Sequence, residues 1–230
     1  LTYTQVGEVL SSGHHDEVDK RIVPHLSHLH TLYNALRKAR EDRGAIDFET
    51  VETRIIFDAN RKIDAIVPVV RNDAHKLIEE CMLCANVATA SFYTEHEIPI
   101  LFRVHAGPTA EKLENLRSFL GELGLDLPGG EKPTPGDYQS LLAEVAERPD
   151  AHVIQTMLLR SLSQAVYQPE NEGHFGLNYE GYAHFTSPIR RYPDLLVHRG
   201  IRHIVRSEVA SKHVLRTQAQ PIPVKRIFPY

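Results

Sequence analysis

The chain has 230 residues, 42% hydrophobic and 24% charged, with a formal charge of −4, enough apolar material for one large domain or two small ones. No apolar run approaches the roughly 20 residues that span a bilayer, and the opening Leu1-Thr-Tyr3 lacks the basic and apolar regions of a secretory leader. No membrane association is therefore expected, and the expected compartment is cytoplasmic.

The first periodic segment runs over 24–43, where Leu26, Leu29, Leu32, Tyr33, Leu36 and Ala39 recur at helical spacing and Gly44 follows a cationic last turn. Two short β-branched runs, 54–57 and 63–67, flank Asp58 to Lys62 and predict a hairpin. A second long helix is expected over 73–95, with Leu77, Cys81, Cys84, Ala85 and Ala88 on its core face. On that wheel Glu79 points away and Glu80 sits at the border of the apolar arc. Glu80 is read either as a carboxylate paired with Lys76 one turn earlier or as an acceptor lining a cleft.

A strand is predicted at 100–104, then helices at 109–123, 136–147 and 151–166, the first two separated by a Pro/Gly-rich loop over 128–136. The expected class is α+β, a mainly helical core with a small antiparallel sheet in one mixed domain. The two cysteines, Cys81 and Cys84, read as core packing in a reducing compartment, since no second pair completes a zinc site. The crowd of His14, His15, His25, His28 and His30 has neither the spacing nor the carboxylate that a metal site needs.

The most informative stretch is Gly173 to Asp194, GHFGLNYEGYAHFTSPIRRYPD. A helix starting at Ser187 would use that serine as N-cap and Pro188 as first residue, leaving free amides for an anion. Arg190 and Arg191 would add charge and planar donor forks beside them. From Pro188 to Arg226 there are nine Lys or Arg against two acids, Asp194 and Glu208, so the basic character of a mildly acidic chain is concentrated there. That distribution suggests a phosphate-bearing partner held in one groove. Phe48, in a loop, is either core or a stacking platform for a base, and Tyr3 is equally open. No nucleophile triad, Gly-rich nucleotide loop or acidic cluster accompanies these residues, so the pattern gives a phosphate groove without a complete catalyst.

The Gly173 to Asp194 motif, with Arg71 to Cys81 (RNDAHKLIEEC) and Thr156 to Ser161 (TMLLRS), resembles the catalytic RNB domain of the ribonuclease II superfamily, in its bacterial ribonuclease R branch. The likeness covers about residues 1 to 207; the tail after Ser207 is less distinctive. It implies a processive hydrolytic exoribonuclease that takes the 3′ end of single-stranded RNA and releases nucleoside 5′-monophosphates. Two Mg²⁺ ions would serve its intact active site.

The resemblance places Arg190 as the catalytic arginine at the reacting phosphate, Arg191 as a weaker substrate contact, Phe48 as the aromatic that clamps stacked bases, and Tyr3 and Glu80 at ribose recognition. The family's metal-binding aspartates and a later glutamate have no counterpart here, nor do its cold-shock and S1 domains. The chain is thus expected to be a partial RNB domain, residues 1–230, inactive alone, with no metal ligand of its own. A non-catalytic RNA-binding relative and a helical interaction protein are the alternatives. The residues leave the oligomeric state undetermined.

Overall fold

The computed structural model describes residues 1–48, 53–69 and 71–206. Among these the order is α1 (Tyr3–Ser12), α2 (Val23–Asp42), β1 (Thr53–Phe57), β2 (Ile63–Pro68), α3 (Asp73–Glu95), β3 (Phe102–Val104), α4 (Ala110–Glu122), α5 (Pro135–Val145), α6 (Ala151–Ser161), β4 (Val166–Gln168) and α7 (Tyr192–Arg206). The class is mainly helical α+β, as the sequence predicts. The strands form two separate antiparallel pairs, β1 with β2 and β3 with β4.

Local chemistry explains most boundaries. Thr2 caps α1 through a reciprocal box with Gln5, and Asn72, Thr109 and Thr134 cap α3, α4 and α5, each accepting a backbone N–H with its side-chain oxygen. After α2 the chain reverses at Gly44, whose φ of 77° lies in the left-handed region. The helix α1 has no counterpart in the periodicity reading, because one buried residue, Val9, anchors it.

Three apolar clusters hold these elements. Val9, Val18 and Leu26 join α1 to α2, and a larger cluster centred on Leu120, Tyr138, Val145 and Leu158 unites α4, α5 and α6. The third ties the end of α3 to β3 and α7 through Tyr93, Phe102, Val104, Ala183 and Val197. Burying side chains of this size stabilises by roughly 1.5–3 kcal/mol each. Residues 169–191 lie over β3 without forming a helix: Arg103 N–H donates to Tyr182 at 2.8 Å and Phe175 N–H to His105 at 2.7 Å.

Four expectations are corrected. First, α6 stops at Ser161, five residues early. Leu162 is extended, the Ser163 hydroxyl donates to Gly107 and the Ser163 carbonyl meets His105 Nε2 at 2.8 Å, so tertiary bonds draw the backbone into β4. Second, no helix begins at Ser187. Residues 187–191 form a turn and α7 starts at Tyr192. A helix from Pro188 would carry Pro193 in its interior, where the missing N–H and ring clash break it; starting at Tyr192 puts that proline in the first turn, where it is tolerated.

Third, the buried face of α3 is Ala74, Leu77, Glu80, Leu83, Asn86, Thr89, Ala90 and Tyr93. Cys84 is exposed and Cys81 half-buried, so neither is a core residue as expected. Fourth, Leu29 and Leu32 of α2 are 40% and 44% exposed, leaving Leu26 and Tyr33 as its buried residues.

Candidate functional site

A cleft of about 350 Å³ opens between the last turns of α2, the end of β2 and the first half of α3. Its volume falls at the lower end of small-molecule sites. Phe48 and Glu80 both line it. Phe48 also packs on the α4–α6 cluster, as the core reading expects. Glu80 is buried and accepts from Arg40 Nη1 at 2.8 Å, while Arg40 Nη2 reaches Asp47 at 3.2 Å. The partner of Glu80 is therefore Arg40, not Lys76, because the tertiary approach of α2 outcompetes the neighbour one turn away. Glu79, expected on the far side, lines the same cleft and pairs with Arg71.

Burial works against the charge of Arg40, but Glu80, Asp47 and Glu79 together hold its pKa above the usual arginine value. The cleft lining thus carries opposed charges, with Arg40 held among the carboxylates of Asp47, Glu79 and Glu80.

Arg190 and Arg191 lie on the 187–191 turn. The Oδ1 of Asp194, fully buried, accepts from Ser187 N–H at 2.8 Å and from Arg191 Nη2 at 2.7 Å, and Ser187 O accepts from the amides of Arg190 and Arg191. These amides are consumed within the turn, so the anion site predicted from a helix start reduces to the arginine side chains. Arg190 is exposed, whereas Arg191 is held between Thr186 and Asp194.

The helix α3 connects the two regions. Asn86 Oδ1 accepts from Phe185 N–H at 2.9 Å and Thr186 N–H at 3.3 Å, and its amide donates to Tyr182 Oη at 2.8 Å. At 1.5 Å per residue, Asn86 lies about 9 Å along the axis from Glu80. Tyr3 does not enter the cleft; it is 46% exposed and stacks on His75 at the start of α3, with ring centroids 4.2 Å apart.

Sequence reasoning passed over Arg40, Asn86 and Asp194, the residues that position the candidates. An aromatic row was also missed. Arg43 lies 3.9 Å over the Tyr179 ring, Tyr179 is parallel to Tyr182, and Tyr182 meets His174 and His184 edge-on. Burial, then the charge of His105, pushes His174 down to about 3, and burial followed by Arg191 brings His184 to about 4. Both imidazoles are neutral at physiological pH. Among the described residues no three His, Cys, Asp or Glu side chains converge to hold a cation.

The RNB domain model matches residues 1–207. The chain belongs to the RNB-domain family. Ribonuclease R of Vibrio cholerae is 58% identical over 206 residues, covering 89% of this chain and 25% of that protein. Ribonuclease R of Escherichia coli is 55% identical over 210 residues, covering 90% and 26%. The chain thus spans about a quarter of the length of these curated relatives. Among solved structures, apo Mycoplasma genitalium RNase R superposes with a TM-score of 0.82 at 32% identity, covering 87% of this chain and 32% of that one. The same RNB protein in complex with ribose-methylated single-stranded RNA gives 0.81. Among the described residues no helix is long and apolar enough to cross a membrane.

Proposed function

We propose that the chain is the central and C-terminal part of the catalytic domain of a processive, hydrolytic, cytoplasmic 3′ to 5′ exoribonuclease that releases nucleoside 5′-monophosphates. The observation that carries this reading is the joint placement of Phe48 and Glu80 on one cleft, with the Arg190 turn tied through Asn86 to the same helix. In this reading the 3′ end of single-stranded RNA lies along α3. Phe48 stacks on a base, Glu80 accepts from a ribose hydroxyl and Tyr3 adds a second sugar contact. The exposed guanidinium of Arg190 meets the reacting phosphate, and Arg191, neutralised by Asp194, holds the turn in shape and contributes less charge.

Mg²⁺ is the expected cofactor of the intact enzyme and would supply the activated water. The residues described here do not fit a hard-cation site, since no cluster of three ligating side chains exists among them. The part of this chain is to bind and orient RNA, and the 230 residues alone do not hydrolyse it.

The test is fluorescence anisotropy of labelled single-stranded RNA titrated with the chain, beside DNA of the same sequence and beside Phe48→Ala and Arg190→Ala. Preference for RNA, sensitivity to salt and weakening by both substitutions are expected. Equal binding of RNA and DNA by the folded chain, or indifference to both substitutions, sinks the assignment. Incubation of 5′-labelled RNA with the chain and Mg²⁺ is expected to leave it full length.

A further inference from the structure

Beyond Arg190 and Arg191, one more arginine is linked by contacts to the segment that leads into the 187–191 turn. Arg103 of β3 stands directly opposite Tyr167 of β4 in the ladder, and its guanidinium carbon lies 4.7 Å over that ring. The Tyr167 hydroxyl meets His184 Nδ1 at 2.7 Å. His184 lies three residues before Ser187, where the arginine turn begins. The contacts thus run from Arg103 through Tyr167 to His184, and Arg191, Arg103 and Arg190 all contribute to the electrostatics of that imidazole. The acid in that group is Asp194, already bonded to Arg191. Among the described residues neither Arg103 nor Arg190 has a carboxylate within 4 Å.

Guanidinium groups that lack a carboxylate partner on a protein surface favour an anion beside them. The geometry is prepared for such an anion. Cross-strand pairing and the Tyr167 face hold the Arg103 guanidinium in place, which lowers the entropy lost when its donors engage. Kept neutral, His184 shares a hydrogen bond with the tyrosine hydroxyl and adds no competing charge.

We infer that Arg103 is a second backbone contact, binding a phosphodiester of the RNA neighbouring the one at Arg190, with Tyr167 and His184 as its positioning residues. This rests on the RNA-channel reading above and extends it from one phosphate to two. A strand held at two consecutive points cannot swing about Arg190, so the platform fixes the direction in which the 3′ end is presented.

Salt dependence separates a phosphate contact from a packing effect. On single strands each neutralised phosphate contributes about 0.7 to the slope of log K against log salt. The chain, Arg190→Ala, Arg103→Gln and Arg103→Lys are each titrated with labelled oligouridine at several salt concentrations, after circular dichroism confirms folding. Arg103→Gln is expected to lower the slope by about 0.7 and the affinity about fivefold at ~0.1 M salt, and Arg103→Lys to restore the slope. If the chain binds RNA and Arg190→Ala weakens it while Arg103→Gln leaves the slope unchanged, the platform is wrong and the channel stands. If the folded chain binds no RNA, both fall. Photocrosslinking of 4-thiouridine RNA to the unaltered chain needs no variant. Crosslinks at the peptides of β3, β4 or His184 support the inference, and crosslinks confined to the Phe48 side overturn it.

Discussion

Glu80 and Arg40 meet at 2.8 Å across the seam between α3 and α2, with side chains only 8% and 13% exposed. The pair closes the floor of the cleft that Phe48 borders, so its removal acts on stability and on the site together. Breaking a buried pair by deleting one partner costs about 3–5 kcal/mol; Arg40 keeps Asp47 at 3.2 Å, which places Glu80→Ala near the bottom of that range or below, about 2–3 kcal/mol. Urea unfolding of the two proteins measures it. A loss under half a kcal/mol would mean that Arg40 relaxes onto Asp47 and that the pair holds little of the seam.

The two adjacent arginines behave oppositely under truncation. Arg190 is exposed and touches no acid, so Arg190→Ala changes stability by no more than about 0.5 kcal/mol while weakening RNA binding. Arg191→Ala strands the fully buried Asp194, whose second oxygen already lacks a partner, and is expected to destabilise by about 3 kcal/mol or more. Thermal unfolding of both variants side by side decides this. Equal melting temperatures would refute the asymmetry.

The pattern behind these pairs shows where the sequence is legible. The helix periods over 24–43, 73–95 and 109–123 and the 54–67 hairpin are local properties, and the structure places α2, α3, α4 and the β1–β2 pair there, whereas the caps at Asn72, Thr109 and Thr134 are equally local and went unread. Glu80 and Asn86 face inward on α3 because Arg40 and the 182–186 backbone come to meet them from distant parts of the chain, information that a helical wheel lacks. A wheel that treats polar side chains as outward therefore turned the buried face and placed Cys84 inside. Likewise Ser187-Pro188 looks like a helix start until Pro193 is weighed against it. The motif resemblance supplied Phe48 and Glu80, which the cleft brings together, whereas nothing local pointed to Asp194 as the residue that shapes the arginine turn.

Gly200 marks a second constraint on α7. A β-carbon there would collide with the Tyr93 hydroxyl, which donates to the Val197 carbonyl at 2.6 Å within the α3–β3–α7 cluster. The clash falls on the rigid end of a buried ring, so Gly200→Ala is expected to lower stability by about 1–3 kcal/mol despite its gain in helix propensity. Adding Tyr93→Phe removes the colliding oxygen. In a double-mutant cycle the second substitution should recover part of the loss, and strict additivity would exclude the proposed clash.

The neutral histidines make stability depend on pH in a defined window. His174 and His184 are faced by His105, Tyr182, Tyr167, Arg103, Arg190, Arg191 and Asp194, and burial leads the causes that bring them to about 3 and about 4 from an ordinary 6.5. A depressed histidine pKa means that the unfolded chain binds the proton first. The stability these groups contribute is complete above about 6.5 and is lost as pH falls toward 4 for His184 and 3 for His174. The slope reaches at most about 1.4 kcal/mol per pH unit for each group. Between about pH 5 and 6.5 ordinary carboxylates stay ionised, which isolates the histidine contribution. Urea midpoints across that interval should fall with pH, and the imidazole proton resonances of His174 should stay at their neutral positions throughout. A flat midpoint, or protonation of His174 near pH 6, would show that the aromatic row is open to solvent and does not exclude charge.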